Sequence, residues 1–91
     1  MKQRMHVWIY GLVKGVFFRK TVKEEADKLG LKGFVRNLED SVESVFEGEK
    51  EYITKMIEFC KKGPVYAKIT EVKTKEEKWQ GDFKEFKVLH F

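Results

Sequence analysis

Cysteine is nearly absent from this 91-residue chain. Cys60 stands alone, so no internal disulfide can form and nothing points to an oxidising compartment. Proline is as scarce, with Pro64 the single case, which argues against a linker-rich or disordered chain. No stretch approaches the roughly 20 apolar residues of a membrane span. The start, Met1-Lys2-Gln3-Arg4, is basic, but the apolar run behind it is short and lacks a small-residue cleavage site. No signal peptide is expected, and the cytoplasm is the default location. His6 and His90 share no metal-ligand spacing with each other or with Cys60, and neither a nucleophilic triad nor a carboxylate pair is supported. Ser41 and Ser44 have no plausible base nearby. Repeats and linkers are missing as well.

What is present suits one globular domain spanning 1–91. Hydrophobic residues make up 42% of the chain, and a chain of this size buries roughly 60 to 65% of its unfolded surface. The net charge of +4 comes from 19 basic and 15 acidic residues that are interspersed, with no block of five like charges. A mild excess of this kind favours small anions over a nucleic-acid backbone. Lysine and glutamate dominate a charged fraction of 37%, and asparagine and glutamine together number three. That balance resembles heat-adapted composition. A melting temperature in the ordinary mesophile range would refute it.

Periodicity divides the chain into alternating strands and helices. Met5 to Tyr10 is a short run of apolar and aromatic β-formers, whereas from Phe18 the pattern Phe18, Val22, Ala26, Leu29 has helical spacing. The helix is expected to begin near Phe18 or Arg19 and to end at Gly30 in a left-handed cap. Leu31 to Leu38 and Val42 to Phe46 read as two strands of a hairpin around Glu39-Asp40-Ser41. From Glu49 the helical stripe Ile53, Met56, Ile57, Cys60 returns and stops at Gly63-Pro64. Ala67 to Trp79 starts as a strand and fades into the charged run Lys75-Glu76-Glu77-Lys78. After a turn at Gln80-Gly81-Asp82, Phe83, Phe86, Val88, Leu89 and Phe91 suggest a final strand. Two amphipathic helices interleaved with four strands predict an α+β, ferredoxin-like βαββαβ sandwich: a mainly antiparallel sheet of four to five strands with both helices on one face. Phe18, Val22, Ala26, Leu29, Ile53, Met56, Ile57 and Cys60 would form the helix side of its core.

The segment with the most chemistry is Gly11-Leu12-Val13-Lys14-Gly15-Val16-Phe17-Phe18-Arg19, which joins the first strand to the first helix. Helix N-termini carry unpartnered N–H groups and partial positive charge, and they bind phosphates and carboxylates readily. Gly11 and Gly15 let successive amides converge, and Arg19 adds a planar cationic fork suited to two phosphate oxygens. The pattern is no Walker loop, because Gly15 is not followed by Lys and Ser/Thr. A tight turn with a surface arginine fits these residues equally well.

A second segment turns the argument. Leu29-Gly30-Leu31-Lys32-Gly33-Phe34-Val35-Arg36-Asn37, with Asp40 and Val42-Glu43 beyond, follows at one helix's distance. Together the two segments resemble the paired signatures of acylphosphatases, and the order of elements matches across essentially the whole chain. The resemblance implies a metal-free, cofactor-free hydrolase. Its substrate is a small-molecule acyl phosphate, and it releases a carboxylate and inorganic phosphate. It assigns phosphate binding to Arg19 and to the main-chain N–H groups of Gly15, Val16, Phe17, Phe18 and Arg19, with Lys14 as a further contributor. It makes Asn37, the chain's one asparagine, the residue that orients the attacking water. A monomer without membrane or nucleic-acid partners is expected.

Three positions depart from the family pattern. Lys14 replaces the usual glutamine, Phe17 stands where a small residue is usual, and the hairpin after Asn37 is one residue short. A one-residue slip would turn a strand's faces over. Because Asn37 precedes the missing position, the loop is expected to absorb it and keep Asn37 facing Arg19. Arg36, next along the strand, should point to the opposite face. Two rival readings accompany this one. A non-catalytic domain that holds phosphate or an acyl phosphate is one, kept open by Lys14 and Phe17. The other is an RNA-binding module of the same topology, suggested by His6, Trp8 and Tyr10 on one strand face and by Lys32-Gly33-Phe34-Val35.

Overall fold

The computed structural model describes residues 1–13 and 16–90. Along the chain run β1 (Lys2–Leu12), α1 (Val16–Lys28), β2 (Lys32–Asn37), β3 (Val42–Glu49), α2 (Lys50–Lys62), β4 (Lys68–Glu77) and β5 (Phe86–Val88). The sheet order is β4-β1-β3-β2-β5. All pairs are antiparallel except β2 with β5, which is parallel. One face of the sheet carries both helices, with α1 packed over β2 and β5 and α2 over β1, β3 and β4. This is the ferredoxin-like α+β sandwich, with five strands.

Between sheet and helices lies one hydrophobic core. Val7 and Ile9 of β1, Val35 of β2, Val42 and Phe46 of β3 and Phe86 of β5 meet Phe18, Val22 and Ala26 of α1 and Ile53, Met56 and Cys60 of α2. Leu29 and Ile57, also expected there, pack against its margin. Phe46 and Phe86 stack at 5.5 Å. Burial pushes the Cys60 thiol up to about 12, so the lone cysteine is inert packing.

Element ends differ from the periodicity for identifiable reasons. β1 is longer at both ends because it pairs on both sides, from Lys2 opposite Glu49 to Leu12 opposite Lys68. β4 runs through its charges because Glu77 sits opposite Arg4. Helix α1 starts before its apolar stripe, at Val16, since a first turn needs no core contact. Only Phe86–Val88 remains of the last strand. Phe83 instead packs edge-on against Phe34 at 6.1 Å on the helix-free face, and Phe91 lies outside the described residues.

The helix-free face is covered by charge pairs and by a strap. Since β4 and β5 are opposite edges of the sheet, the chain between them must cross it. Glu47 anchors that crossing, accepting hydrogen bonds from the amides of Gln80 (3.0 Å) and Gly81 (3.2 Å) and from Arg4 (3.1 Å). His6 reaches Glu43 at 2.7 Å and Glu77 at 3.0 Å and stacks on Trp8 at 4.0 Å.

Candidate active site

The carboxyl ends of β1, β2 and β5 and the amino end of β4 share one end of the sheet, which follows from the strand directions. Here α1 begins. Its first turn carries no acidic side chain that would offset the positive end of the helix. Val16 through Arg19, four of the five residues expected to supply amides, form that turn. Gly15 and Lys14 lie outside the described residues.

Arg19 is held from the far end of the chain. Its Nη1 donates to the Leu89 carbonyl at 3.1 Å and sits 3.3 Å from His90 Nδ1. Parallel pairing of β5 with β2, continued by the Leu89 amide donating to the Val35 carbonyl at 2.9 Å, brings these residues over. Neither was legible as a site residue in the sequence. Leu89 reads as strand and His90 as a solitary histidine, and no local pattern announces a contact 70 residues away.

Asn37 ends β2 opposite Val42. The short hairpin closes through the Leu38 amide donating to the Ser41 carbonyl at 2.8 Å, so the loop absorbs the missing residue and β3 keeps its register. Arg36 points to the helix-free face and bonds Glu43, and Ser44 donates to the Phe34 carbonyl at 2.6 Å. Asn37 faces the other way, and Arg19, Asn37, Leu89 and His90 line one cavity of about 190 Å3. Among the described residues, three buried polar side-chain atoms lack a hydrogen-bond partner, Arg19 Nε and Asn37 Oδ1 beside this cavity and Ser41 Oγ in the neighbouring hairpin. Buried polar groups are nearly always paired, and the two residues that carry the orphaned donor and acceptor line the same cavity. A cationic N–H suits an anion, and an amide oxygen suits the hydrogen of a water.

Phe17 does not cover this cavity. Its side chain is 71% exposed and lines a separate groove with Lys20, Thr21, Glu24 and Tyr66.

Comparison with known proteins agrees with this geometry. The acylphosphatase family model matches residues 5–88. The acylphosphatase of Syntrophobacter fumaroxidans is 47% identical, with 96% of this chain and 91% of the relative covered. Among solved structures, an acylphosphatase from Coxiella burnetii superposes with a TM-score of 0.91 at 36% identity, covering 97% of this chain and 93% of that one. One from Bacillus subtilis gives 0.87 at 31% identity, covering 98% and 99%. Sequence kinship over nearly the full length and the same fold converge: the chain belongs to the acylphosphatase family.

Proposed function

We propose that the acyl phosphate is hydrolysed in the cavity between Arg19 and Asn37, with Arg19 binding the phosphoryl group and Asn37 orienting the water. The observation that carries this reading is that Arg19 and Asn37 line one cavity and each keeps a buried, unpartnered polar atom beside it, Arg19 Nε and Asn37 Oδ1. Leu89 and His90 occupy Nη1 and fix the guanidinium plane, which leaves Nε for a phosphoryl oxygen. Amides of the first turn of α1, Val16 to Arg19, take the remaining equatorial charge, and the family resemblance adds the Gly15 amide and the positive charge of Lys14. Preorganised donors of this kind act most strongly as charge develops in the transition state.

The reaction then needs little else. Water held by the Asn37 carboxamide attacks phosphorus in line, the new P–O bond forms as the bond to the acyl oxygen breaks, and the electron pair leaves with the carboxylate. A carboxylate needs no proton to depart, and a phosphoryl oxygen takes the proton lost by water. Asn37 contributes by position, since an amide is a poor base.

RNA binding fits the helix-free face poorly. Its aromatics are engaged, Phe34 by Phe83 and His6 by Trp8, and Glu43, Glu47 and Glu77 would oppose phosphates. We read the protein as a cytoplasmic monomer; no helix among the described residues is long and apolar enough to cross a membrane.

Hydrolysis of a synthetic acyl phosphate, followed by loss of absorbance, tests the assignment. Arg19→Ala should lower kcat/KM by about 10³-fold or more. Asn37→Ala should lower kcat by about 10²-fold with little change in KM, because the residue meets water rather than phosphate. A fully active Asn37→Ala would overturn the water-orienting role, and phosphate binding without turnover would favour a binding domain.

A further inference from the structure

Exposed apolar side chains gather at the end of the sheet where α1 begins. Leu12, Phe17, Val65 and Tyr66 are 75%, 71%, 105% and 58% exposed. Phe17 and Tyr66 form the apolar walls of a groove of about 470 Å3, completed by Lys20, Thr21 and Glu24. Phe17, Lys20, Thr21 and Glu24 fall at i, i+3, i+4 and i+7 along α1, two turns of the helix, and Tyr66 comes from the turn that leads into β4. The groove is fixed in shape. The Tyr66 and Thr21 hydroxyls lie 2.9 and 2.8 Å from the Phe17 carbonyl and 2.6 Å from each other, so one donates to the carbonyl and the other to the carbonyl or to its neighbour. Tyr66 is held at the main chain of Phe17, and the two rings leave an apolar surface open to water that a ligand could cover.

In-line geometry says what that is. The attacking water and the departing group stand on opposite sides of phosphorus. Asn37 lies at the end of β2, on one flank of the carboxyl end of β1, whereas Tyr66 lies beside β4, on the other. If the phosphoryl group sits on the first-turn amides of α1, next to the carboxyl end of β1, with water at Asn37, in-line departure carries the acyl group toward β4, the side on which Phe17 and Tyr66 lie. Phe17 joins both sites, its amide in the first turn of α1 and its ring on the wall of the groove.

The geometry points to this groove as the acyl subsite, selecting acyl phosphates whose carboxylic portion is aromatic or bulky and apolar. This rests on the Arg19–Asn37 reading of the site. Phe17, a small residue in the family pattern, then makes this chain more discriminating toward the leaving group.

The test compares phenylacetyl phosphate with acetyl phosphate, whose carboxylates differ little in basicity, so that a difference reports contacts rather than intrinsic reactivity. The ratio of their kcat/KM values should be about tenfold or more in favour of the larger substrate. Phe17→Ala and Tyr66→Ala should each lower that ratio about fivefold or more, with unchanged circular dichroism. A ratio unmoved by both substitutions overturns the subsite while leaving hydrolysis at Arg19 and Asn37 intact. No turnover of either substrate by the unmodified protein overturns the catalytic reading and the subsite with it. A dimer that the same substitutions dissolve, with selectivity unmoved, assigns the groove to a second copy of the chain instead.

Discussion

Replacing Glu47 by alanine should release the strap that crosses the helix-free face. Glu47 is 4% exposed and receives three hydrogen bonds, from Arg4 Nη1 and from the Gln80 and Gly81 amides. Hydrogen bonds to a charged group contribute about 1.5 to 3 kcal/mol each, and truncating one partner of a buried ion pair costs about 3 to 5 kcal/mol. These figures do not add here. Gln80 and Gly81 are exposed, so their amides can turn to water. Arg4 keeps Glu77 at 3.0 Å and the face of Phe83 at 5.1 Å. The expected loss is therefore near the lower bound for a broken buried pair, about 3 kcal/mol. For a domain of this size that corresponds to a drop in Tm of about 12 to 24 °C.

Urea and thermal unfolding measure the loss, and amide exchange localises it, since Gln80 and Gly81 should exchange faster than amides of β1 and β3. Glu47→Gln, which keeps an acceptor but loses the charge, should cost about half as much. A change of less than about 0.5 kcal/mol in Glu47→Ala, the range of ordinary surface substitutions, would refute the view that Glu47 fastens the strap.

Acid should act through the same face. Burial works to raise the Glu43 carboxyl, but hydrogen bonds from Arg36 and His6 outweigh it and hold the group below the ordinary carboxylate range; His6, then Arg4, do the same for Glu77. A carboxyl depressed in the folded state contributes stability that is fully present above its unfolded value, about 4.3, and lost as pH falls through the folded one. Urea midpoints should thus hold down to about pH 5 and fall below it, with a shallower fall in Glu43→Gln; an identical slope in that variant would refute the link. Glycines offer a further comparison. At Gly33 φ is +141° and an added Cβ would overlap the Val45 carbonyl oxygen, whereas at Gly30 φ is +68° and the space is open. Gly33→Ala should cost about 3 kcal/mol or more and Gly30→Ala about 1 kcal/mol. Equal urea midpoints for the two would contradict the close approach of β2 to β3.

Local pattern determined much of this protein. The stripe Ile53, Met56, Cys60 and the change of period after Tyr10 made the elements and one side of the core legible, because helix and strand periods are properties of neighbouring residues. Alternation alone separated Arg36 from Asn37. The glycine-punctuated run ending in Arg19 suggested an anion site because its ingredients lie within nine residues, and its resemblance to a family suggested Asn37. What only tertiary structure decided depends on contacts that no short window contains. Arg19 is steadied by Leu89 and His90 because β5 pairs in parallel with β2. Charges from Arg4 to Glu77 form one face because three strands align them. Phe17, which stands where a small residue is usual, lines a groove with Tyr66, 49 residues later, whose hydroxyl lies 2.9 Å from the Phe17 carbonyl. Spacing along a chain sets which face a side chain takes; strand order and crossing connections set what it finds there.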